Sequence, residues 1–174
     1  ITTSSNGNYA YATHVLARYA IPPTKIEQGW INSNGLAIID IKNQRLVNTV
    51  LMDHMGQGAA NLWSVDVTEN TIYITAAGVH EIITLDEQPF LAALEGQDEL
   101  TYSLTFAAPF QKRVRLHSAR GPRSSAVRGK KVFVAGYFSD KIDVYNMDAG
   151  TLSFARTIDL LEGKEINTPL ARVG

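Results

Sequence analysis

The sequence predicts an all-β chain, folded as about three four-stranded antiparallel blades of an incomplete β-propeller, and three observations carry that prediction. Short alternating apolar and polar segments bounded by turn residues run through nearly all of it. The segments recur as a unit at an offset of about 60 residues. The recurrence keeps turn positions as well as strand positions, which favours blades over the competing reading, a meandering two-sheet sandwich.

In chain order, strands are expected at Asn8 to Thr13, Leu36 to Ile41 and Arg45 to Met52. Trp63 to Val67, Thr71 to Thr75, Glu81 to Leu85 and Arg113 to His117 follow, then Ser124 to Val127, Lys131 to Gly136, Lys141 to Tyr145 and Leu152 to Ile158. Each is rich in Val, Ile, Tyr, Phe or Thr. Thr68-Glu69-Asn70, Arg128-Gly129-Lys130 and Asp148-Ala149-Gly150 are turn signals between them. Glu87 to Gly96 breaks the rhythm: a Pro near its start, Leu and Ala within it and a terminal Gly suit a short helix.

Trp63 to Asp86 lies on Arg123 to Asn146 without gaps, so that Tyr73 falls on Phe133 and Leu85 on Tyr145. Ala10 to Thr13 falls on Ile72 to Thr75 at an offset of about 62, and Ile38 to Asp40 on Thr84 to Asp86 at about 46. The first copy therefore holds about 16 extra residues within one loop, Val15 to Asn34. The units are 1–56, 57–117 and 118–162, with a tail at 163–174 leading toward a further domain. Closed propellers need roughly 4–8 blades, so three blades imply further blades or another chain to complete the ring. The start at Ile1 points the same way.

Composition narrows the chemistry. A net charge of -1 gives no global field for nucleic acid. No apolar run approaches the roughly 18 residues of a membrane helix. The absence of cysteine excludes disulfides, thiolate catalysis and covalent c-type haem attachment within these 174 residues. No Gly-x-Ser-x-Gly elbow or Gly-rich phosphate loop occurs.

The strands Ala10-Tyr11-Ala12-Thr13-His14, Ile72-Tyr73-Ile74-Thr75-Ala76 and Val132-Phe133-Val134-Ala135-Gly136 are followed by Ile39-Asp40, Leu85-Asp86 and Tyr145-Asn146. This pattern resembles the YVTN family of β-propeller repeats. Further runs are similar to a bacterial group in which such a propeller precedes a di-haem cytochrome c peroxidase-like domain. They are Thr13 to Tyr19, Pro23-Thr24, Gly29 to Asn34, Gly58 to Trp63, Ala77 to Glu81, Gly121-Pro122-Arg123 and Tyr137 to Asp140. The resemblance implies export to the periplasm or cell surface. It implies no cofactor in this segment, and haem c in a domain that would begin beyond Gly174, where the tail from Thr168 resembles the approach to it. The chain departs from that group at Leu62, where a Pro is usual, and at Ala76, where a His is usual.

Blade geometry gathers the least generic residues on one loop face, where a rigid scaffold commonly carries binding residues. The expected binding residues are His14, Arg18, Trp30, Asn61, Trp63, His80, Glu81, Arg123 and Tyr137. Trp30 sits in the inserted loop, as a docking element or as a pin to its own blade. His14, His80 and Glu81 are the candidates for a metal or acid–base site, although no metal-ligand spacing supports them. Between Glu99 and Asp140 lie eight of the 16 Lys and Arg and no Asp or Glu, a stretch able to steer an anionic partner. Arg113 and Arg115 in it also read as charges guarding an outer strand.

Three functions fit. The leading one is a non-catalytic binding and scaffolding segment of an exported bacterial protein, docking a c-type cytochrome or peroxidase-like domain or a redox partner, with any electron-transfer chemistry in the missing haem domain. The second is a lactonase-like propeller enzyme with a site at the channel mouth, which requires His14, His80 and Glu81 to converge. The third is a plain surface protein-interaction repeat.

Overall fold

The computed structural model of the chain describes residues 1–17, 32–148 and 151–162. Its strands form three four-stranded antiparallel sheets, each in strict chain order. The first sheet holds β1 (Thr2–Thr3), β2 (Tyr9–Ala17), β3 (Asn32–Asp40) and β4 (Arg45–Leu51). The second holds β5 (Leu62–Thr68), β6 (Thr71–Ala76), β7 (Glu81–Asp86) and β8 (Gln111–Arg115). The third holds β9 (Pro122–Arg128), β10 (Lys131–Gly136), β11 (Lys141–Asp148) and β12 (Thr151–Asp159). Successive sheets pack on each other, β1 and β2 against β5, then β5 and β6 against β9. This is the incomplete β-propeller that the repeat predicts.

Cross-strand pairing reproduces the sequence repeat position by position. Tyr11 pairs with Ile38, Tyr73 with Thr84 and Phe133 with Val144. The turn hydrogen bonds repeat too. The N–H groups of Ile41, Glu87 and Met147 donate to the carbonyls of Asn8, Asn70 and Lys130. At the other end those of Met52, Leu116 and Leu160 donate to the carbonyls of Asn34, His80 and Asp140.

Two apolar seams hold the sheets together. Tyr11, Leu36, Ile38 and Val50 of the first sheet meet Val65, Ile72, Ile74 and Leu85 of the second. Tyr73 and Ile82, on the opposite face of the second sheet, meet Val132, Val134 and Tyr145 of the third. Alternate residues of a strand point to opposite faces, so one sheet serves both seams. Phe133, at the position of Tyr11 and Tyr73, is only half-buried, because no described sheet covers its face.

Side chains also cross the seams at equivalent positions. The Tyr11 hydroxyl donates to Glu87 Oε1 (2.9 Å). The Tyr73 hydroxyl donates to Met147 Sδ. Fully buried Glu87 further accepts the Ser5 N–H at both oxygens (3.2 Å each), fixing the turn before β2 to the second sheet.

The expected helix is α1 (Glu87–Leu94). It ends as Gly96 takes a left-handed conformation (φ 71°). Phe90 from α1, Phe106 and Phe110 pack with centroids 5.9–6.2 Å apart and close one end of the first seam.

Four expectations are corrected. The loop set at Val15 to Asn34 is in part a ladder: β2 and β3 continue to the pair Ala17–Asn32, because the chain stays extended past Thr13. The outer strand set at Arg113 to His117 lies at Gln111–Arg115, since the Leu116 N–H turns to the His80 carbonyl. The short strand β1, two residues long, was not anticipated. The cationic stretch is not one patch. The antiparallel run of β9 carries Arg128, Lys130 and Lys131 to the end opposite Arg120 and Arg123.

Candidate functional site

One end of the sheets, called here the loop rim, holds the β6–β7 and β10–β11 turns and the starts of β5 and β9. The rim is knit by polar bonds that recur between sheets. Asn34 Oδ1 accepts the Asn61 N–H at the start of β5 (2.8 Å), and His80 Nδ1 accepts the Gly121 N–H at the start of β9 (3.0 Å). Asn34 and His80 occupy the same repeat position, as do Asn61 and Gly121, both left-handed (φ 62° and 60°). Each bond ties a third strand to the first strand of the next sheet. Asp53 supports the first of them, accepting the Asn34 N–H (2.7 Å), Asn34 Nδ2 (3.0 Å) and the Ala59 N–H (2.7 Å).

Arg123 lies at the centre of the rim between the second and third sheets. Its guanidinium carbon stands 3.7 Å from the Tyr137 ring centroid, 4.3 Å from that of Trp63 and 5.6 Å from that of Phe138. Trp63 and Arg123 are the same position of successive repeats, so neighbouring sheets place one over the other. Phe138 fits because Gly121 lacks a side chain: a Cβ there would lie 2.3 Å from the ring. The three aromatics remain 45%, 59% and 64% exposed (Trp63, Tyr137 and Phe138), a large apolar edge around one cation. The Arg123 Nε atom is buried and has no hydrogen-bond partner among the described residues.

The other expected residues take different places. Glu81 pairs with Arg113 Nε (2.7 Å), and Arg113 also donates to the carbonyls of Gln57 (3.3 Å) and Gly58 (2.7 Å). The Arg113–Glu81 pair thus has a structural use at the rim. His14 packs over Gly35, on the face of the first sheet opposite that of Thr13, whose hydroxyl donates to the Trp63 carbonyl (2.7 Å). His80 and Glu81 are thus held by separate partners, and no group of three or more His, Cys, Asp or Glu able to hold a metal occurs among the described residues. Arg18 and Trp30 lie outside the described residues. Asn61 serves through its backbone, with its N–H on Asn34 and its carbonyl accepting the Ala77 N–H (2.9 Å).

Sequence reasoning missed Asn34 and Phe138 as individual site residues. The signal was present: Asn34 aligns with His80, and Gly121 replaces Asn61 where Phe138 replaces Gly78. A rim cleft of about 590 Å³ is lined by Asn34, Asp53, His54, Gln57 and Leu104, but Asp53 is fully engaged there. On the first strands Ser125 Oγ bonds Ser64 Oγ (3.0 Å) and donates to Asp66. No described hydrogen bond joins a histidine to these serines, so this pair lacks the base of a catalytic triad.

Sheet order, packing and repeated turns define the class: a β-propeller segment, here three blades long. No protein-family model matches the chain. It is similar to hydrazine synthase subunit beta of Kuenenia stuttgartiensis, 24% identical over 152 residues, 83% of this chain and 39% of that protein. The solved Kuenenia stuttgartiensis hydrazine synthase superposes with a TM-score of 0.75 at 22% identity, covering 86% of this chain and 45% of that one. The periplasmic gluconolactonase of Pseudomonas aeruginosa superposes with a TM-score of 0.62 at 19% identity, over 91% and 38% of the two chains. The chain thus spans less than half the length of each, and the likeness is one of fold.

Proposed function

We propose that this chain is the binding and scaffolding part of an exported bacterial β-propeller protein, and that its loop rim docks a c-type cytochrome, a peroxidase-like domain or another redox partner. The observation that carries the proposal is the arginine set among three exposed aromatic rings at the meeting of two blades. The few residues that carry most of the binding energy of protein interfaces are enriched in Trp, Tyr and Arg. Two names lend support: the hydrazine synthase relative is a subunit of an assembly, and the gluconolactonase is periplasmic. Among the described residues no helix is long and apolar enough to cross a membrane.

Haem belongs to the partner in this reading. The chain has no cysteine and does not fit covalent haem attachment itself. The lactonase reading draws on fold alone, and two of its three required side chains are engaged elsewhere, His80 by the Gly121 N–H and Glu81 by Arg113.

The test is calorimetric titration of the purified chain with an acidic di-haem c-type cytochrome. Binding is expected, weakened at least about tenfold by Arg123→Ala or Trp63→Ala, as suits hot-spot residues. No binding, or binding indifferent to both changes, overturns the proposal. Hydrolysis of gluconolactone by the chain above the buffer rate would favour the lactonase reading instead.

A further inference from the structure

The way Arg123 is held says what a partner must bring to it. Aromatic rings lie close to the guanidinium carbon, Tyr137 at 3.7 Å and Trp63 at 4.3 Å, with Phe138 further out at 5.6 Å. Stacked rings leave the guanidinium free to donate only through its edge, in the plane of its five N–H bonds. Among the described residues Arg123 is in none of the ion pairs, Arg45–Asp40, Arg113–Glu81 and Lys141–Asp159, and its buried Nε has no hydrogen-bond partner, so the partly exposed side chain keeps its Nη end of the fork for a partner. Three carboxylates of the second and third sheets have other work. Glu81 holds Arg113, Asp66 accepts from Ser125, and Asp143 accepts the Ser118 and Ala119 N–H groups and the Thr157 hydroxyl. No acidic residue occurs in the sequence between Glu99 and Asp140.

We infer that the Arg123 edge is a receptor for an Asp or Glu carboxylate presented by the docked protein, an inference that rests on the docking reading above. Charge selects the occupant, since a cation in none of the ion pairs of the described residues takes an anion. Geometry selects its shape, since a planar fork accepts a planar two-oxygen group through two parallel hydrogen bonds. The ring of exposed Trp63, Tyr137 and Phe138 excludes water around such a pair, which strengthens it. Lysine has the charge but neither the fork nor the flat faces, so it is a poor substitute here.

The probe is a hexaglutamate peptide, followed by the Arg123 Nε–H resonance of arginine-labelled protein and by Trp63 fluorescence in a Trp30→Phe background. The expected result is a downfield movement of that resonance and quenching of Trp63, neither of which a hexaglutamine peptide produces. Arg123→Lys should weaken hexaglutamate binding at least about tenfold with an unchanged melting temperature, because a point charge loses the bidentate geometry. The wild-type titration stands without any variant. An unmoved resonance, an equal effect of hexaglutamine, or inorganic sulfate bound as tightly as hexaglutamate overturns the inference. The docking reading fails separately. Cytochrome binding that survives Arg123→Lys removes the carboxylate receptor and keeps the docking. Hexaglutamate binding without cytochrome binding supports the receptor and removes the partner class.

Discussion

Gly121 is the residue on which the Arg123 cradle turns. Its φ of 60° suits glycine, and Phe138 occupies the space where a side chain would stand. Gly121→Ala is expected to displace the Phe138 ring and to destabilise the chain by about 1–3 kcal/mol, since it combines left-handed strain with a clash. Chemical denaturation measures the loss, and a shifted Arg123 Nε–H resonance reports the displaced ring. A second prediction concerns pH. Burial pushes the Tyr145 hydroxyl up to about 12, partly offset by the His117 N–H that donates to it (3.2 Å). Burial likewise raises Tyr73, and raises Tyr11 further with help from its bond to Glu87. The folded chain therefore holds these protons more tightly than the unfolded chain, whose tyrosines titrate near 10.0. Stability is full below about pH 10 and is lost as pH rises toward about 12. Denaturation midpoints across that window should fall, and Tyr145→Phe should flatten the fall.

At the scale of elements, the third strand of one blade is latched to the first strand of the next by a single side-chain acceptor. Asn34 does this with Oδ1 and His80 with Nδ1, atoms at the same distance along the side chain. His80→Asn should therefore be close to neutral, because Asn accepts through the same δ1 position and tolerates the left-handed backbone at φ 58°. His80→Ala should cost about 1 kcal/mol and leave the Gly121 N–H exchanging faster with solvent. Hydrogen exchange of that amide separates the outcomes, and equal exchange in both variants would remove the latch. At the opposite end, Glu87→Ala should cost more, about 1–3 kcal/mol, because it strands the buried Tyr11 hydroxyl and the Ser5 N–H together. The sequence aligned the residues of these latches but not the bonds they make. A polar residue at a turn shows its own chemistry but not the backbone N–H that a neighbouring blade will bring to it. Strands and turns were legible because each depends on its own alternation and its own Gly or Asn. The misplaced outer strand and the overlooked β1 show the limit: a strand end is set by its neighbour's hydrogen bonds.

For the whole molecule, the repeat offset was the most informative quantity in the sequence. Residues about 60 apart hold equivalent places in successive blades, and the offset aligned Trp63 with Arg123, which the structure places one over the other. It put Arg123, Trp63 and Tyr137 among nine residues expected on one loop face without singling out the three. It did not give the commitment of Glu81 to Arg113, which depends on a strand paired across a helical insertion. The same logic makes the account testable as a unit, because docking at the rim and docking elsewhere protect different loops. The direct measurement is amide hydrogen exchange of the chain with and without a bound acidic di-haem c-type cytochrome. The account predicts slowed exchange at 57–63, 77–81, 119–123 and 136–140, with the turns at 69–70 and 129–130 unchanged. Protection confined to those opposite turns, with the rim exchanging as before, would contradict it.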